Sequence, residues 1–363
     1  MNLGKLGERG FIDLIRRRFG SLAPPPPAGI GDDASAIRSR GAGHRLLSTD
    51  CLIEGQHFLR DEPAYLLGRK SLAVNLSDIA AMGGRPTGFT LTLGIPGDLP
   101  GHFLEKLLDG LVSSAVEHRV PLLGGDTSRA GSQLVISISV IGAAGSAGSR
   151  GILARSGARP GDRVYVSGAL GGSAAGRLLL GAGWRARMDA RGRRLTGVAP
   201  PRRPRAGAPP LSRNARTRAL EAMRSHLDPV PRLDLGRRLL EGGVASSAID
   251  LSDGLSSDLR RLAEASRVGA RLLAPAIPIA DAARHLSSAL GVAPLDLALS
   301  GGEDYELLFT VPPDKERLLA RERAILVGRV VSRQQGLTLA DTRGRERRLP
   351  ASGFDHFARH PRR

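Results

Sequence analysis

Acidic residues set among glycines are the groups best suited to chemistry in this chain of 363 residues. Four islands read Gly29-Ile30-Gly31-Asp32-Asp33, Gly124-Gly125-Asp126-Thr127, Asp250-Leu251-Ser252-Asp253-Gly254 and Gly301-Gly302-Glu303-Asp304-Tyr305, and Ser48-Thr49-Asp50 adds a fifth. Glycine takes backbone angles that other residues avoid and lets main chain approach a ligand closely. Carboxylates beside such turns, in a chain of formal net charge +18, point to oxygen ligation of a hard cation such as Mg²⁺. Cations held by several carboxylates and faced by glycine-rich loops are suited to nucleotide phosphates. Were these acids to converge, each would raise the pKa of the others unless a cation neutralised them.

Each island also has a local reading. Asp33 and Asp126 suit turns, where Asp accepts nearby backbone N–H groups. Asp250 and Asp253 suit the cap and turn before a helix starting near Leu255. Asp78, in Asn75-Leu76-Ser77-Asp78, is either a solvated helix position or a ligand directed into a cleft. Ser48 and Thr49 offer hydroxyl or carbonyl oxygens beside Asp50. Arg155, in Arg155-Ser156-Gly157, is either a bidentate phosphate contact or an ordinary surface arginine. Cys51 lacks a partner base and reads as small buried packing. His57 is the one histidine close to an acidic island. No Gly-x-x-x-x-Gly-Lys-Ser/Thr string occurs, and Gly68-Arg69-Lys70-Ser71 lacks its spacing, so a Walker-type NTPase is excluded. The protein-kinase motif set is absent as well.

The elements that must position these residues follow from periodicity. Residues 1 to 20 predict an amphipathic helix with Leu6, Phe11, Leu14 and Ile15 on one side. Helices are expected over 65–82, 102–117, 171–180, near 233–240 and over 255–266. Strands are expected over 45–48, 89–95, 134–141, 163–167, 245–249, 305–311 and 325–331, that over 134–141 from its alternation of apolar residues with Ser. Pro121 to Leu123 is expected to lead into a Gly124-Gly125-Asp126 loop. The order is not a strict βαβ repeat, so we expect an α/β chain with mixed sheets, divided into domains 1–150 and 151–363.

Composition sets the outer bounds. A hydrophobic share of 41% allows a packed core, while 3% aromatics argues against base-stacking surfaces. No apolar run approaches a membrane span, and the first 20 residues lack a signal-peptide core. With a single cysteine, these features lead us to expect a cytoplasmic protein. Arg185 to Arg218 holds eleven Arg, one acid and five Pro, which predicts a flexible Arg/Pro-rich insertion over about 183–218. A nucleic-acid arm is the competing reading of that segment.

Taken in order, these islands resemble the thiamine-monophosphate kinase family. The resemblance rests on Gly29 to Ala34, Ser48 to Asp50, Gln56-His57-Phe58, Ala73 to Gly83, Gly124 to Thr127, Arg155 to Ala158, Asp250 to Leu255, Ser300 to Leu307 and Gly353 to Phe357. It spans nearly the whole chain. It implies the two-domain architecture of aminoimidazole ribonucleotide synthetase, N-terminal domains paired in a homodimer, and ATP bound near that interface. It also implies transfer of the ATP γ-phosphoryl to thiamine monophosphate with no dedicated catalytic base. By position, Asp33, Ser48, Thr49, Asp50, Asp78, Asp126, Asp250 and Asp253 would bind Mg²⁺. Gly125, Asp126, Arg155 and Ser252 would contact ATP, and His57, Glu303 and Phe354 would face the acceptor. Phe354 departs from the Tyr or Trp common there, which keeps a ring face but removes a hydrogen bond. Neither a membrane nor a nucleic acid is implied as partner. The alternatives are another ATP-using synthetase of the superfamily, or a nucleic-acid-binding protein acting through residues 185–218. Selenophosphate synthetase carries a reactive Cys or selenocysteine near its N-terminus and the hydrogenase maturation relative ends in Cys, whereas this chain ends His360-Pro361-Arg362-Arg363.

Overall fold

Residues 3–22, 25–39, 43–145, 151–201, 210–320, 322–350 and 353 are described by a computed structural model, and Phe354 lies outside them. In chain order the first elements are α1 (Leu3–Phe19), β1 (Ser35–Arg38), β2 (His44–Ile53), α2 (Ala64–Ala81), β3 (Arg85–Pro96), α3 (Gly101–His118), β4 (Leu122–Ala130) and β5 (Val135–Ala144). They are followed by β6 (Arg163–Val166), α4 (Gly172–Gly181), β7 (Arg185–Met188), β8 (Leu195–Ala199), α5 (Arg213–Leu227), α6 (Leu233–Glu241), β9 (Ser247–Asp250) and α7 (Leu255–Ser266). The last are β10 (Gly269–Leu273), α8 (Asp281–Leu290), α9 (Pro294–Ser300), β11 (Leu307–Val311), β12 (Ile325–Val331), β13 (Leu337–Ala340) and β14 (Glu346–Arg348).

The first sheet runs β1-β2-β5-β3-β4, antiparallel except for the β3/β4 pair. The alternation along β5 becomes one buried and one partly open face, with Ile136, Ile138 and Val140 inward. α2 lies over the inward face, and 15 of its 18 residues are buried. A helix buried nearly all round has no polar face to give it amphipathic periodicity. It is packed on three sides, by the sheet, by α3 and by α6. A Cβ on Gly110 would lie 1.8 Å from the Tyr65 carbonyl oxygen, and one on Gly236 would lie 1.9 Å from that of Ala80. Only glycine permits these two helices to come so close to α2.

The second sheet runs β14-β13-β10-β12-β6-β11-β9. One face is covered by α7 and α9 through Leu255, Leu259, Leu262 and Leu299. On the other, Tyr165 and Phe309 stack at 5.8 Å and join the core that contains Leu72, Leu76 and Ile79 of α2. The two sheets therefore share one apolar core across α2. No helix among the described residues is long and apolar enough to cross a membrane.

Three expectations are corrected. The segment 183–218 is not an unstructured insertion: β7 and β8 form a hairpin, and α5 begins at Arg213 behind the N-cap of Ser212. Residues 202–209 of it lie outside the described residues. Several of its described arginines have partners, because long cationic side chains can pack their stems and face aromatic rings. Arg216 lies 5.9 Å over the Trp184 ring, Arg193 lies 5.9 Å over that of Tyr65, and Arg185 pairs with Asp61. Second, Gly124-Gly125-Asp126 is the middle of β4 rather than a loop. A Cβ on Gly125 would lie 1.8 Å from the Leu91 carbonyl oxygen, so the glycine permits close pairing with β3. Third, Cys51 is exposed, since strand alternation directs it to the open face of the sheet.

Candidate active site

Successive strand residues point to opposite faces, so β2 sends Ser48 and Asp50 toward α2 and Thr49 away. Ser48 Oγ donates to Asp78 Oδ2 on α2, whereas Thr49 Oγ1 lies 2.8 Å from Ser139 Oγ on the open face. The Asn75 amide oxygen accepts from the Asp50 backbone N–H at 3.0 Å, fixing β2 against the helix. Asp250 ends β9 and comes from the other half of the chain. Its Oδ2 accepts from Ser77 Oγ at 2.8 Å. Asp33 arrives from the loop before β1. One carboxylate oxygen from each of Asp33, Asp78 and Asp250 lies within 4.8 Å of the others.

Such a group resists ionisation. Burial first, and Asp253 second, raise Asp50 to about 6. Burial first, and Asp33 second, raise both Asp250 and the neighbouring Asp32 to about 7. Asp78 is raised by burial and then by Asp50, Asp250 and Asp33. One cation partly offsets this. Arg155 Nη2 lies 2.7 Å from Asp33 Oδ1, and its backbone N–H donates to Asp32 at 3.0 Å. Asp33 Oδ2 is buried and has no hydrogen-bond partner among the described residues. An all-oxygen cluster with raised pKa values and an unsatisfied buried carboxylate oxygen fits a hard divalent cation.

A second acidic group lies beside it. Glu303 Oε1 accepts from Lys70 Nζ of α2 at 3.0 Å, and Oε2 lies 3.3 Å from His226 Nδ1 of α5. Lys70 and His226 are almost fully buried, while a fifth of the Glu303 side chain stays open. Burial opposes the Glu303 charge, but Lys70 and then His226 outweigh it and hold the carboxyl at about 2. His226 is lowered to about 3, by burial and then by Lys70, and is neutral at ordinary pH. Glu303 and Tyr305 both take left-handed backbone angles, φ 58° and 51°, uncommon for such residues. Hydrogen bonds to the Asp250–Gly254 island hold them there: Glu303 N–H donates to Ser252 O at 2.7 Å and Tyr305 N–H to Leu251 O at 2.9 Å. Between them Asp304 accepts from the Gly171 N–H at the start of α4, at 2.8 Å. The buried Tyr305 hydroxyl is raised by burial and then by Glu303, Asp50, Asp250 and Asp78.

Asp33, Ser48, Asp50, Asp78 and Asp250 thus come together, with Ser252 Oγ 3.4 Å from Asp250 Oδ1. Asp253 neighbours Asp50 electrostatically and is paired with Arg261. The Thr49 hydroxyl does not join them. Nor do Gly125 and Asp126: the row Asp50, Ile138, Leu91, Gly125 runs across four of the five strands, and Asp126 follows on the exposed edge strand. Three strand spacings separate β2 from β4, about 14 Å. His57 sits in the turn after β2, where its Nδ1 accepts from the Ile53 N–H at 3.0 Å. Sequence reasoning gave no role to Lys70, Ser77, His226 or Tyr305. Lys70 and Ser77 stand among further polar residues of the same helix, Arg69, Ser71, Asn75 and Asp78, so no local spacing singles them out.

Comparison with known proteins accords with this geometry. Residues 31–144 match the family described as AIR synthase related protein, N-terminal domain, and residues 159–339 match its C-terminal domain. The thiamine-monophosphate kinase of Salmonella typhimurium is 38% identical over 84% of this chain and 83% of its own. That of Escherichia coli K12 is 36% identical over 97% of this chain and 98% of its own. The solved structure of AaThiL complexed with AMPPCP and TMP superposes with a TM-score of 0.79 at 29% identity, covering 98% of this chain and 99% of that one. The hydrogenase maturation protein HypE, at 20% identity and a TM-score of 0.62, shares the fold alone.

Proposed function

The chain belongs to the AIR synthase related family and within it to the thiamine-monophosphate kinases, and from that premise we propose how its side chains divide the work. The enzyme phosphorylates thiamine monophosphate at the expense of ATP. The observation that carries the assignment of the site is the convergence of Asp33, Asp78 and Asp250 from both halves of the chain within 4.8 Å.

Asp33, Ser48, Asp50, Asp78, Asp250 and Asp253, with the Thr49 carbonyl, would hold Mg²⁺ at the phosphate end. When bound, such ions cancel repulsion between two polyanions and polarise phosphoryl oxygens. The unsatisfied Asp33 oxygen and the raised Asp50 and Asp250 support this reading. Arg155 and Ser252 face ATP in it, and Arg155 exchanges part of its pairing with Asp33 for phosphate. The acceptor is a phosphate oxygen already ionised near neutral pH, so the chain needs to orient it rather than deprotonate it. Glu303 attracts the cationic thiazolium region, with His57 and Phe354 beside the acceptor.

Gly125 and Asp126 belong to a homodimer in this reading. Their strand is exposed, and the same face and edge expose Leu47, Leu122 and Leu123. A second copy on that face would bring β4 to the nucleotide. Domains 1–150 and 151–363, and a cytoplasmic location, complete the proposal. The nucleic-acid alternative loses support because Arg185, Arg193 and Arg216 serve internal partners.

A coupled assay of ADP release tests the assignment, with Mg-ATP and thiamine monophosphate as substrates and thiamine as control acceptor. Turnover with the monophosphate alone is expected. Equal turnover with thiamine would contradict a phosphate acceptor, and none with either would remove the activity.

A further inference from the structure

Lys70 is buried to near completion, and a buried ammonium is costly unless paired. Its Nζ lies 3.0 Å from Glu303 Oε1 and 3.4 Å from His226 Nε2. With Nε2 accepting from the ammonium, the neutral imidazole carries its proton on Nδ1, whose hydrogen-bond partner is Ser173 Oγ at 3.1 Å and which lies 3.3 Å from Glu303 Oε2. One carboxylate oxygen is thereby fixed by α2, and the other faces the imidazole of α5. Glu62 also neighbours the ammonium, but its Oε1 accepts the Leu59 N–H and its Oε2 has no hydrogen-bond partner among the described residues. Arg177 contributes a more distant positive field at Glu303. The direct interaction of Lys70 is therefore with Glu303 and its histidine.

Position on the helix adds the second observation. Lys70 and Ser77 stand seven residues apart, two turns along one stripe of α2, about 10 Å on its axis. Both reach across to the second half of the chain, Ser77 to Asp250 at 2.8 Å and Lys70 to Glu303 at 3.0 Å. One rigid helix thus ties down the phosphate end and the organic end of the site.

We propose that Lys70 is a positioning residue for the acceptor: it sets Glu303 two helical turns from the Asp250 end, so that α2 gauges the span between the substrate's phosphate and its cationic ring. The proposal rests on the reading of Glu303 as an acceptor contact. Lys70 touches neither substrate and acts through Glu303, whose backbone N–H is held by Ser252 O and whose carboxylate is held by the ammonium.

Steady-state kinetics of the wild type, Lys70→Met, Glu303→Gln and the double variant test it. Lys70→Met is expected to raise the KM for thiamine monophosphate roughly tenfold, with kcat less affected and the KM for ATP within about twofold. In the Glu303→Gln background, Lys70→Met should add less than about twofold, because residues acting as a unit are not additive. Comparing the double variant with Glu303→Gln also supplies the result if Lys70→Met alone fails to fold, since both buried charges are then gone. An equal rise in the KM for ATP, or a full tenfold rise on top of Glu303→Gln, would overturn the proposal. So would an altered Glu303→Gln beside an unaltered Lys70→Met. An unaltered Glu303→Gln would instead remove the acceptor reading beneath it.

Discussion

Two sets of carboxylates lie along α2, and they are built to opposite ends. At the Ser77 end, Asp50, Asp78 and Asp250 are buried among themselves, with Asp50 and Asp250 raised to about 6 and 7. At the Lys70 end, Glu303 keeps a fifth of its side chain open, and Lys70 and His226 bring it down to about 2. Burial opposes charge at both ends. What differs is the source of compensation. Glu303 has its countercharge within the fold and is ionised before any ligand arrives. Among the described residues the aspartates have Arg155 on Asp33 and Arg261 on Asp253, two cations for a larger number of carboxylates, and remain short of positive charge. The first arrangement suits a fixed anion that attracts a cationic ring. The second suits a site completed by divalent ions and polyphosphate.

Neutralising the two ends should break this comparison in different ways. Asp250→Asn or Asp78→Asn is expected to lower kcat by roughly a hundredfold to a thousandfold, the scale of losing charge stabilisation in the transition state. Glu303→Gln should act mainly on the KM for thiamine monophosphate, roughly tenfold, and leave the Mg²⁺ requirement unchanged. Initial rates over a grid of both substrates and Mg²⁺ separate these outcomes.

Stability against pH sharpens the same contrast. Asp32, Asp50 and Asp250 have folded pKa values raised from 3.8 to about 7, 6 and 7. The unfolded chain therefore releases these protons first. Their contribution is full below about pH 4 and is lost as pH rises to about 7. An isolated group that binds its proton tenfold more tightly in the folded chain contributes about 1.4 kcal/mol in this way. Metal-free protein should have a lower Tm at pH 8 than at pH 5, and Mg²⁺ should restore more at pH 8. Glu303 has the opposite sign. Lowered from 4.5 to about 2, it contributes above pH 4.5 and fades only as pH falls toward 2. It therefore adds no slope between pH 5 and 8. Thermal melts of the wild type and Asp250→Asn check this, and the variant should lose part of the slope.

The smallest effect concerns the tie rather than the charge. Ser77→Ala removes one buried hydrogen bond to Asp250 and should cost about 1 kcal/mol of stability with a severalfold loss of kcat, read by denaturant midpoint and turnover.

The acidic islands were legible because glycines and carboxylates cluster locally, and most of the elements carrying them followed from periodicity. β12 occupies the residues expected, and α2 and α3 differ from expectation by a residue at each end. Three things were not legible. Gly124-Gly125 reads as a turn by composition, yet main-chain pairing with β3 makes it strand, which is a tertiary effect. The hairpin and helix within 183–218 were hidden because a count of arginines says nothing of the rings they pack on. Lys70 carries no motif at all. Its importance comes from a partner 233 residues away, which no local spacing encodes.

The most direct test of the account is the Mg²⁺ dependence of thiamine diphosphate formation in the wild type and in Asp250→Asn. The account predicts that the variant needs at least about tenfold more Mg²⁺ for half-maximal rate and reaches a lower plateau, as expected when one carboxylate ligand is lost. An unchanged half-maximal concentration, with only the plateau altered, would contradict the claim that these carboxylates gather around the metal.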